Sequence, residues 1–261
     1  MLAQQLRERF GPHVDAPLLP DLAQRDALVA YAYLEKSWRL PVPLCRTYGW
    51  FSFGGMTCDS FGLWERIPPS PQFDARAEQV LVHHYRLIRD DEYPDEPDND
   101  DPTEEWVVEL LPEDRSDRVL VSRCSPKVTL ASTVAWVWGH AQRDPAALER
   151  PLLTRADRFE APVLDFDLAA SMPALQGARL EQGAAGTDLL GDVRHRVRCR
   201  LDEGGVGVKA EARLAGLYLP QRNLVCDGPF LVLVQRRDAD VPTLAAWVET
   251  RALIARGTSP A

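Results

Sequence analysis

The histidines are the first side chains to weigh for chemistry, because an imidazole can act as a base or bind a metal near neutral pH. His83 and His84 are adjacent in a segment that reads as a strand, so we expect them on opposite faces and not on one metal ion. His13 and His140 stand alone. The chain also lacks the motifs of nucleophile elbows, phosphate loops, dinucleotide folds and zinc peptidases. We therefore predict that it is not an enzyme.

Thiols and carboxylates give no stronger indication of a cofactor. The cysteines are odd in number, widely spaced and never in a C-x-x-C pair, which argues against a disulfide framework and a zinc site. They are Cys45, Cys58, Cys124, Cys199 and Cys226. The run Asp98-Asn99-Asp100-Asp101 has calcium-binding residue types but lacks the glycine and the distal glutamate of a calcium loop. We predict no metal and no other cofactor.

The longest regular pattern is an alternation of apolar and charged residues over Val193–Leu214. Its first half has Val193, His195, Val197, Cys199 and Leu201 on one face and four arginines on the other. A period of two predicts two strands with one buried face each, and Gly204-Gly205 supplies the turn between them. His195 then lies on the buried face, where we expect it to be hydrogen-bonded rather than catalytic.

The composition is that of a compact globular protein. The 261 residues are 45% hydrophobic and 26% charged, and we predict a single domain over residues 1–261 with an acidic, flexible loop over residues 90–105. The net charge of −9 argues against nucleic-acid binding. Since no apolar run could span a bilayer and the N-terminus lacks a signal peptide's apolar stretch, we expect a cytoplasmic protein. The excess of arginine over lysine is typical of GC-rich bacteria.

Three motifs in the C-terminal part of the chain carry a family resemblance. Val193-Arg194-His195-Arg196 is followed by Asp202-Glu203-Gly204-Gly205 and then by Gly228–Val234. Their order and spacing resemble the V-x-H-K strand, the D-E-x-G hinge and the R-P-F-L-F-L-I strand of the serpins, a superfamily of serine-protease inhibitors. Further similarities extend the resemblance over most of residues 20–250; they lie at Asp26–Trp38, Glu105–Asp114, Arg158–Gly177 and Val241–Val248.

The resemblance implies an α+β fold, made predominantly of antiparallel sheets with a few helices. The first serpin-like strand begins 26 residues into this chain, whereas in the family it lies near the middle. The sequence is therefore similar to the C-terminal half of a serpin and lacks the N-terminal helical half. Trp38 and His195 match positions in the region where the main sheet of a serpin opens.

The resemblance also implies a reactive-loop hinge. In this chain the hinge consists of Glu203, Gly204, Gly205, Val206, Val208, Ala210 and Ala212. A serpin inhibitor stores strain, and its loop inserts into the main sheet after a protease cuts it. Inhibitors have a run of small residues through the hinge, and Val208 and Lys209 depart from it. Because the alternate residues from Val206 to Leu214 are apolar, we predict that this segment is already a sheet strand and that the protein is non-inhibitory.

Three functions remain open. The main prediction is a protein-interaction or scaffold module that holds a protein partner or a second copy through a strand edge or the aromatic residues 38–64. An alternative is a serine-protease inhibitor with its bait bond near Tyr218-Leu219, which implies a chymotrypsin-like protease as partner. A third is an accessory protein of a bacterial pathway that binds a small ligand between sheets through Trp38, Trp50 and Trp64. None of the three involves nucleic acid or a membrane.

Overall fold

The computed structural model describes residues 28–64, 70–88, 103–144, 147, 150–171, 179–182, 186–203 and 221–255. Within them lie thirteen strands, two α-helices and a short 3-10 helix, Arg251–Leu253. The strands are β1 (Leu28–Ser37), β2 (Cys45–Phe53), β3 (Met56–Leu63), β4 (Val80–Ile88), β5 (Thr103–Leu110), β6 (Asp117–Arg123), β7 (Arg158–Pro162), β8 (Leu164–Ser171), β9 (Arg179–Gln182), β10 (Gly186–Leu201), β11 (Asn223–Val225), β12 (Phe230–Arg236) and β13 (Leu244–Val248). The helices are α1 (Phe73–Ala77) and α2 (Leu130–Ala141).

The chain divides into two compact units, residues 1–36 with 166–199 and residues 37–165 with 200–261. The sheet of the first unit has the order β1-β10-β8, and β9 pairs antiparallel with the start of β10. Because β1 and β10 are hydrogen-bonded neighbours, no strand separates them. The single domain predicted over residues 1–261 stays a prediction.

Strand β10 confirms the first half of the alternating pattern. Val197, Cys199 and Leu201 are buried, whereas Arg200 is exposed. The strand begins at Gly186, seven residues before the pattern predicted. The second half of the pattern, Val206–Leu214, lies outside the described residues, so its prediction as a sheet strand stays a prediction.

The second unit contains two sheets with a shared aromatic core. Their strand orders are β11-β7-β3-β2 and β13-β12-β6-β5-β4, and their pairs are antiparallel except for the parallel pair of β11 and β7. Phe53 meets Phe230 edge to face at 6.0 Å, and Trp106 meets Phe159 at 6.3 Å. These contacts join the sheets, since Phe53 and Phe159 belong to the first and the other two rings to the second. The predicted α+β fold with mainly antiparallel sheets is confirmed.

Helix α2 begins at a capping box and packs on the five-stranded sheet. The Thr129 hydroxyl accepts from the backbone N–H of Ser132, and the Ser132 hydroxyl accepts from that of Thr129. Val137 and Ala141 pack in one core cluster with residues of β5, β6 and β12. Among the described residues no helix is long and apolar enough to cross a bilayer.

Two details differ from the sequence predictions. The acidic loop predicted over residues 90–105 is too long, because Thr103–Glu105 already pair with β4, and Glu105 is buried. His83 and His84 do not lie on opposite faces. The register shifts between Val82 and His84, and this bulge turns both side chains toward the side of the sheet that α2 covers.

Candidate functional site

Glu203, a residue of the predicted hinge, is buried and is held by an ion pair with Arg46. Arg46 donates from Nη1 to its Oε1 and Oε2 at 3.1 and 3.0 Å. The backbone N–H of Leu44 donates to the Glu203 carbonyl at 3.0 Å. Glu203 is only 4% exposed, so water cannot replace these bonds. The end of β10 is therefore held against the start of β2 by both backbone and side chain.

The same arginine serves a second carboxylate. Arg46 Nη2 donates to Asp59 Oδ2 at 3.2 Å, and the backbone N–H of Gly49 donates to Asp59 Oδ1 at 3.0 Å. Gly49 has a φ of 64°, a backbone angle that residues other than glycine rarely adopt. It lies where the pairing of β2 with β3 shifts register, between Thr47 and Phe51. The register shift in β2 thus lets the Gly49 N–H bind Asp59, one of the two buried carboxylates whose negative charge Arg46 offsets.

A second ion pair, buried at both of its residues, is formed by Arg222, which follows the undescribed residues 204–220 in the sequence. Arg222 donates from Nε to Asp157 Oδ1 at 3.1 Å and from Nη2 to Oδ2 at 2.7 Å. Its remaining donors reach the carbonyls of Arg150 and Leu152 at 2.8 and 2.7 Å. Burial acts to raise the pKa of Asp157, but hydrogen bonds from Arg222 and Thr154 outweigh it and hold that pKa below its ordinary value. The described residues on either side of 204–220 are therefore each held by an arginine–carboxylate pair.

Sequence reasoning found one member of these ion pairs, Glu203. Asp59 lies in an otherwise uncharged strand, which is a weak signal for a buried ionic site. Arg46, Asp157 and Arg222 carry no comparable signal, because their partners are far away in the sequence.

The other predicted site residues have different outcomes. Trp38 is half-buried, and its Nε1 donates to Asp117 Oδ2 at 3.1 Å, which ties the residue after β1 to the start of β6. His195 lies in β10, but its side chain is outside the description. The hinge from Gly204 to Ala212 and the bait pair Tyr218-Leu219 also lie outside the described residues.

The tryptophans of the predicted ligand site do not line the pocket beside the five-stranded sheet. That pocket has a volume of about 540 Å³, and its lining includes Leu81, His83, Glu109, Arg118, Trp138 and Arg237. Trp38, Trp50 and Trp64 do not line it. Trp50 is instead 65% exposed on β2, the last strand in its sheet among the described residues.

The pocket surrounds a carboxylate that is already satisfied. Glu109 accepts from His83 at 2.8 Å, from Arg118 at 2.6 Å and from Arg237 at 2.8 Å. Burial would raise the pKa of Glu109, but the bonds from His83 and Arg118 lower it to about 2. Among the described residues no three His, Cys, Asp or Glu side chains could hold a metal ion. Glu109 is thus an ionised carboxylate that accepts hydrogen bonds from three side chains.

Comparisons with known proteins give a consistent result for the fold. Neither a family model nor a curated protein matches the chain. Serpin-12 of Manduca sexta is similar in structure with a TM-score of 0.57 and 13% identity, over 97% of this chain and 65% of that one. A serpin of the trematode Schistosoma haematobium gives a TM-score of 0.51 at 10% identity, over 95% of this chain and 61% of that one.

The fold is serpin-like. A serpin of Schistosoma mansoni gives the same result, with a TM-score of 0.50, 9% identity and cover of 95% of this chain. The serpin-like chain spans 61% to 65% of the length of these structures, so the match is to part of a serpin. At sequence identities this low, the structural similarity shows a shared fold but does not show a shared activity.

Proposed function

We propose that the chain is a non-inhibitory, non-enzymatic serpin-like protein that acts as a protein-interaction module. The observation that carries this proposal is Trp50, which is 65% exposed on β2, the last strand of its sheet within the part of the chain that the structure describes. A terminal strand can pair with a strand of another chain, and tryptophan is enriched in the buried centres of protein interfaces. The predicted bacterial origin and cytoplasmic location belong to the same proposal.

The absence of inhibition is supported by the two ion pairs and by the hinge sequence. Glu203 and Arg222, on either side of residues 204–220, are themselves buried, and each is bound in an ion pair. Val208 and Lys209 interrupt the run of small residues that serpin inhibitors have. We therefore infer that the loop does not insert into the main sheet after cleavage.

The proposal includes residues 206–214 as a resting sheet strand. Since β1 and β10 are already paired, this strand would have to join a sheet elsewhere than between them. Its support is the alternation of Val206, Val208, Ala210 and Ala212 with polar residues.

Incubation with serine proteases tests the absence of inhibition. We expect chymotrypsin-, trypsin- and subtilisin-type proteases either to leave the chain intact or to cleave it without an adduct on a denaturing gel. A covalent adduct that appears at a stoichiometry near one would refute the proposal and support inhibition.

Self-association tests the interaction surface, with a second copy of the chain as the first partner. Light scattering after size exclusion should give a mass above the 29.2 kDa of one chain, and Trp50→Ser should lower it. Val128→Ser is the matched control, because Val128 is also apolar and fully exposed but lies before α2. A strictly monomeric wild type would reject the homodimer, and an equal effect of both substitutions would reject β2 as the surface.

One observation favours the alternative of an inhibitor. Serpin inhibition requires that the cleaved loop insert into the main sheet as a new strand. Because β1 and β10 pair directly, no strand has yet been inserted between them. The bait bond would then lie near Tyr218-Leu219. The protease panel separates this alternative from the main proposal.

A further inference from the structure

Three aromatic rings join strand β4 to helix α2. The ring centroids of His84 and His140 are 4.1 Å apart, with an angle of 31° between the planes. The ring of Trp136 lies 4.4 Å from His140 and meets His84 edge to face at 5.5 Å. His84 comes from the sheet and the other two rings from the helix. The stack is therefore a contact between two elements rather than a feature of one.

Both histidines carry a ring nitrogen that is sealed from water. His84 Nε2 and His140 Nδ1 are buried and have no hydrogen-bond partner within the described parts of the chain. The neighbouring His83 differs, because its Nε2 lies 2.8 Å from Glu109 Oε2. A proton added to the His84–His140 stack would thus lack the carboxylate acceptor that His83 has.

The charges around the stack also favour neutral rings. The groups that face it are Arg86 from β4, Glu105 from β5, Arg143 after α2, and Lys127, whose Nζ lies 5.3 Å from the Trp136 ring. Three cations and only one carboxylate therefore face the stack, so the net charge around it is positive. Burial and Arg143 lower the pKa of His84, and burial, His84 and Arg143 lower that of His140 to about 4.

We propose that the His84–His140 stack is an acid-sensitive latch that holds α2 on the five-stranded sheet when neutral and releases it when protonated. Two like charges 4.1 Å apart repel each other, and the sealed nitrogens cannot be solvated until the rings separate. Since each ring holds its proton less tightly in the folded state, the docking of α2 is strongest above the ordinary pKa of histidine. It weakens as the pH falls below that value.

Release of α2 would have a defined structural consequence. Val137 and Ala141 leave a core cluster that includes Val107, Leu120 and Leu231. The aromatic contacts between the two sheets lie elsewhere and do not depend on α2. Release of α2 therefore exposes an apolar face of the five-stranded sheet without separating the two sheets.

Hydrogen exchange read by mass spectrometry tests the latch. On lowering the pH from 7.5 to 4.5, amides of α2 should lose about 10-fold in protection after correction for intrinsic rates, while β3 keeps its protection. The double variant His84→Phe with His140→Phe keeps the stacked rings but cannot titrate, and it should lose this response. Leu130→Ser, in the exposed first turn of α2, is the matched control and should respond as the wild type does.

Either of two results would overturn the latch: a wild-type helix that stays protected at pH 4.5, or a double variant that responds like the wild type. If the double variant fails to fold at pH 7.5, proton NMR of the wild-type histidines decides instead. His84 and His140 should then titrate below the ordinary histidine pKa, together with a change in the Trp136 indole signal. Titration of both at the ordinary value, without that change, would refute the proposal.

Discussion

Arg46 and Glu203 form a two-pronged ion pair across 157 positions of sequence, with one guanidinium nitrogen 3.0 and 3.1 Å from the two carboxylate oxygens. Glu203 is buried and Arg46 is partly buried, and Asp59, also buried, accepts from a second nitrogen of the same arginine. The Arg46–Glu203 pair fixes the point where β10 ends and the predicted hinge begins. The position of Glu203 therefore depends on β2 as well as on β10.

Removing Arg46 should destabilise the protein strongly. Arg46→Met leaves Glu203 and Asp59 buried without their cation, which we expect to cost about 3–5 kcal/mol in the free energy of unfolding. Urea unfolding followed by fluorescence measures it. The control is Arg200→Met, which breaks an exposed pair with Asp202 and should change stability by less than about 1 kcal/mol. Equal losses in the two variants would contradict the role of the buried site.

Acid should weaken the fold through Glu109. Because its folded-state pKa is lowered to about 2, the stability it contributes is complete above its ordinary pKa and is lost as the pH falls toward 2. We expect a loss of about 3 kcal/mol over that window. Glu109→Gln should be less stable at pH 7 and should show a flatter pH dependence. Thermal unfolding between pH 6 and 2 gives both curves, and parallel curves would refute the assignment.

A methyl group at Gly62 should not be tolerated. A Cβ there would lie 2.0 Å from the backbone oxygen of Phe159 on the adjacent strand β7, which cannot move without breaking the sheet. We expect Gly62→Ala to cost more than about 3 kcal/mol or to prevent folding. Gly139→Ala is the control, since that position in α2 has open space and alanine is the better helix former by about 1 kcal/mol. Soluble yield and urea midpoints report the difference, and a harmless Gly62→Ala would contradict the close approach.

Cleavage within residues 204–220 should leave the two fragments associated. The C-terminal fragment would contain β12, which is hydrogen-bonded between β6 and β13, and β11, which pairs with β7. Under the non-inhibitory proposal the melting temperature should change by less than about 5 °C, because no strained loop is released. A recognition site for a specific protease at residues 215–219 allows a clean cut. A cleaved form that gains tens of degrees would contradict the proposal and favour the inhibitor.

Local sequence patterns were enough to predict much of the fold. The period of two predicted the strand that contains Val197, Cys199 and Leu201, and these side chains are buried as expected. The motif around Val193 and the one over Gly228–Val234 resembled serpin strands, and the three structural neighbours described above are serpins. Such patterns are readable because side-chain alternation is set by the geometry of each strand alone.

What the amino-acid order determined by itself was thus the type of element and the class of fold. Tertiary structure alone decided the partners: Arg46 with Glu203, Asp157 with Arg222, and His84 with His140. It also decided that His83 and His84 share a side, because a bulge depends on how β4 registers with β5. The physical reason is distance along the chain: a burial pattern is a local property, whereas an ion pair or a ring stack requires that two remote segments meet.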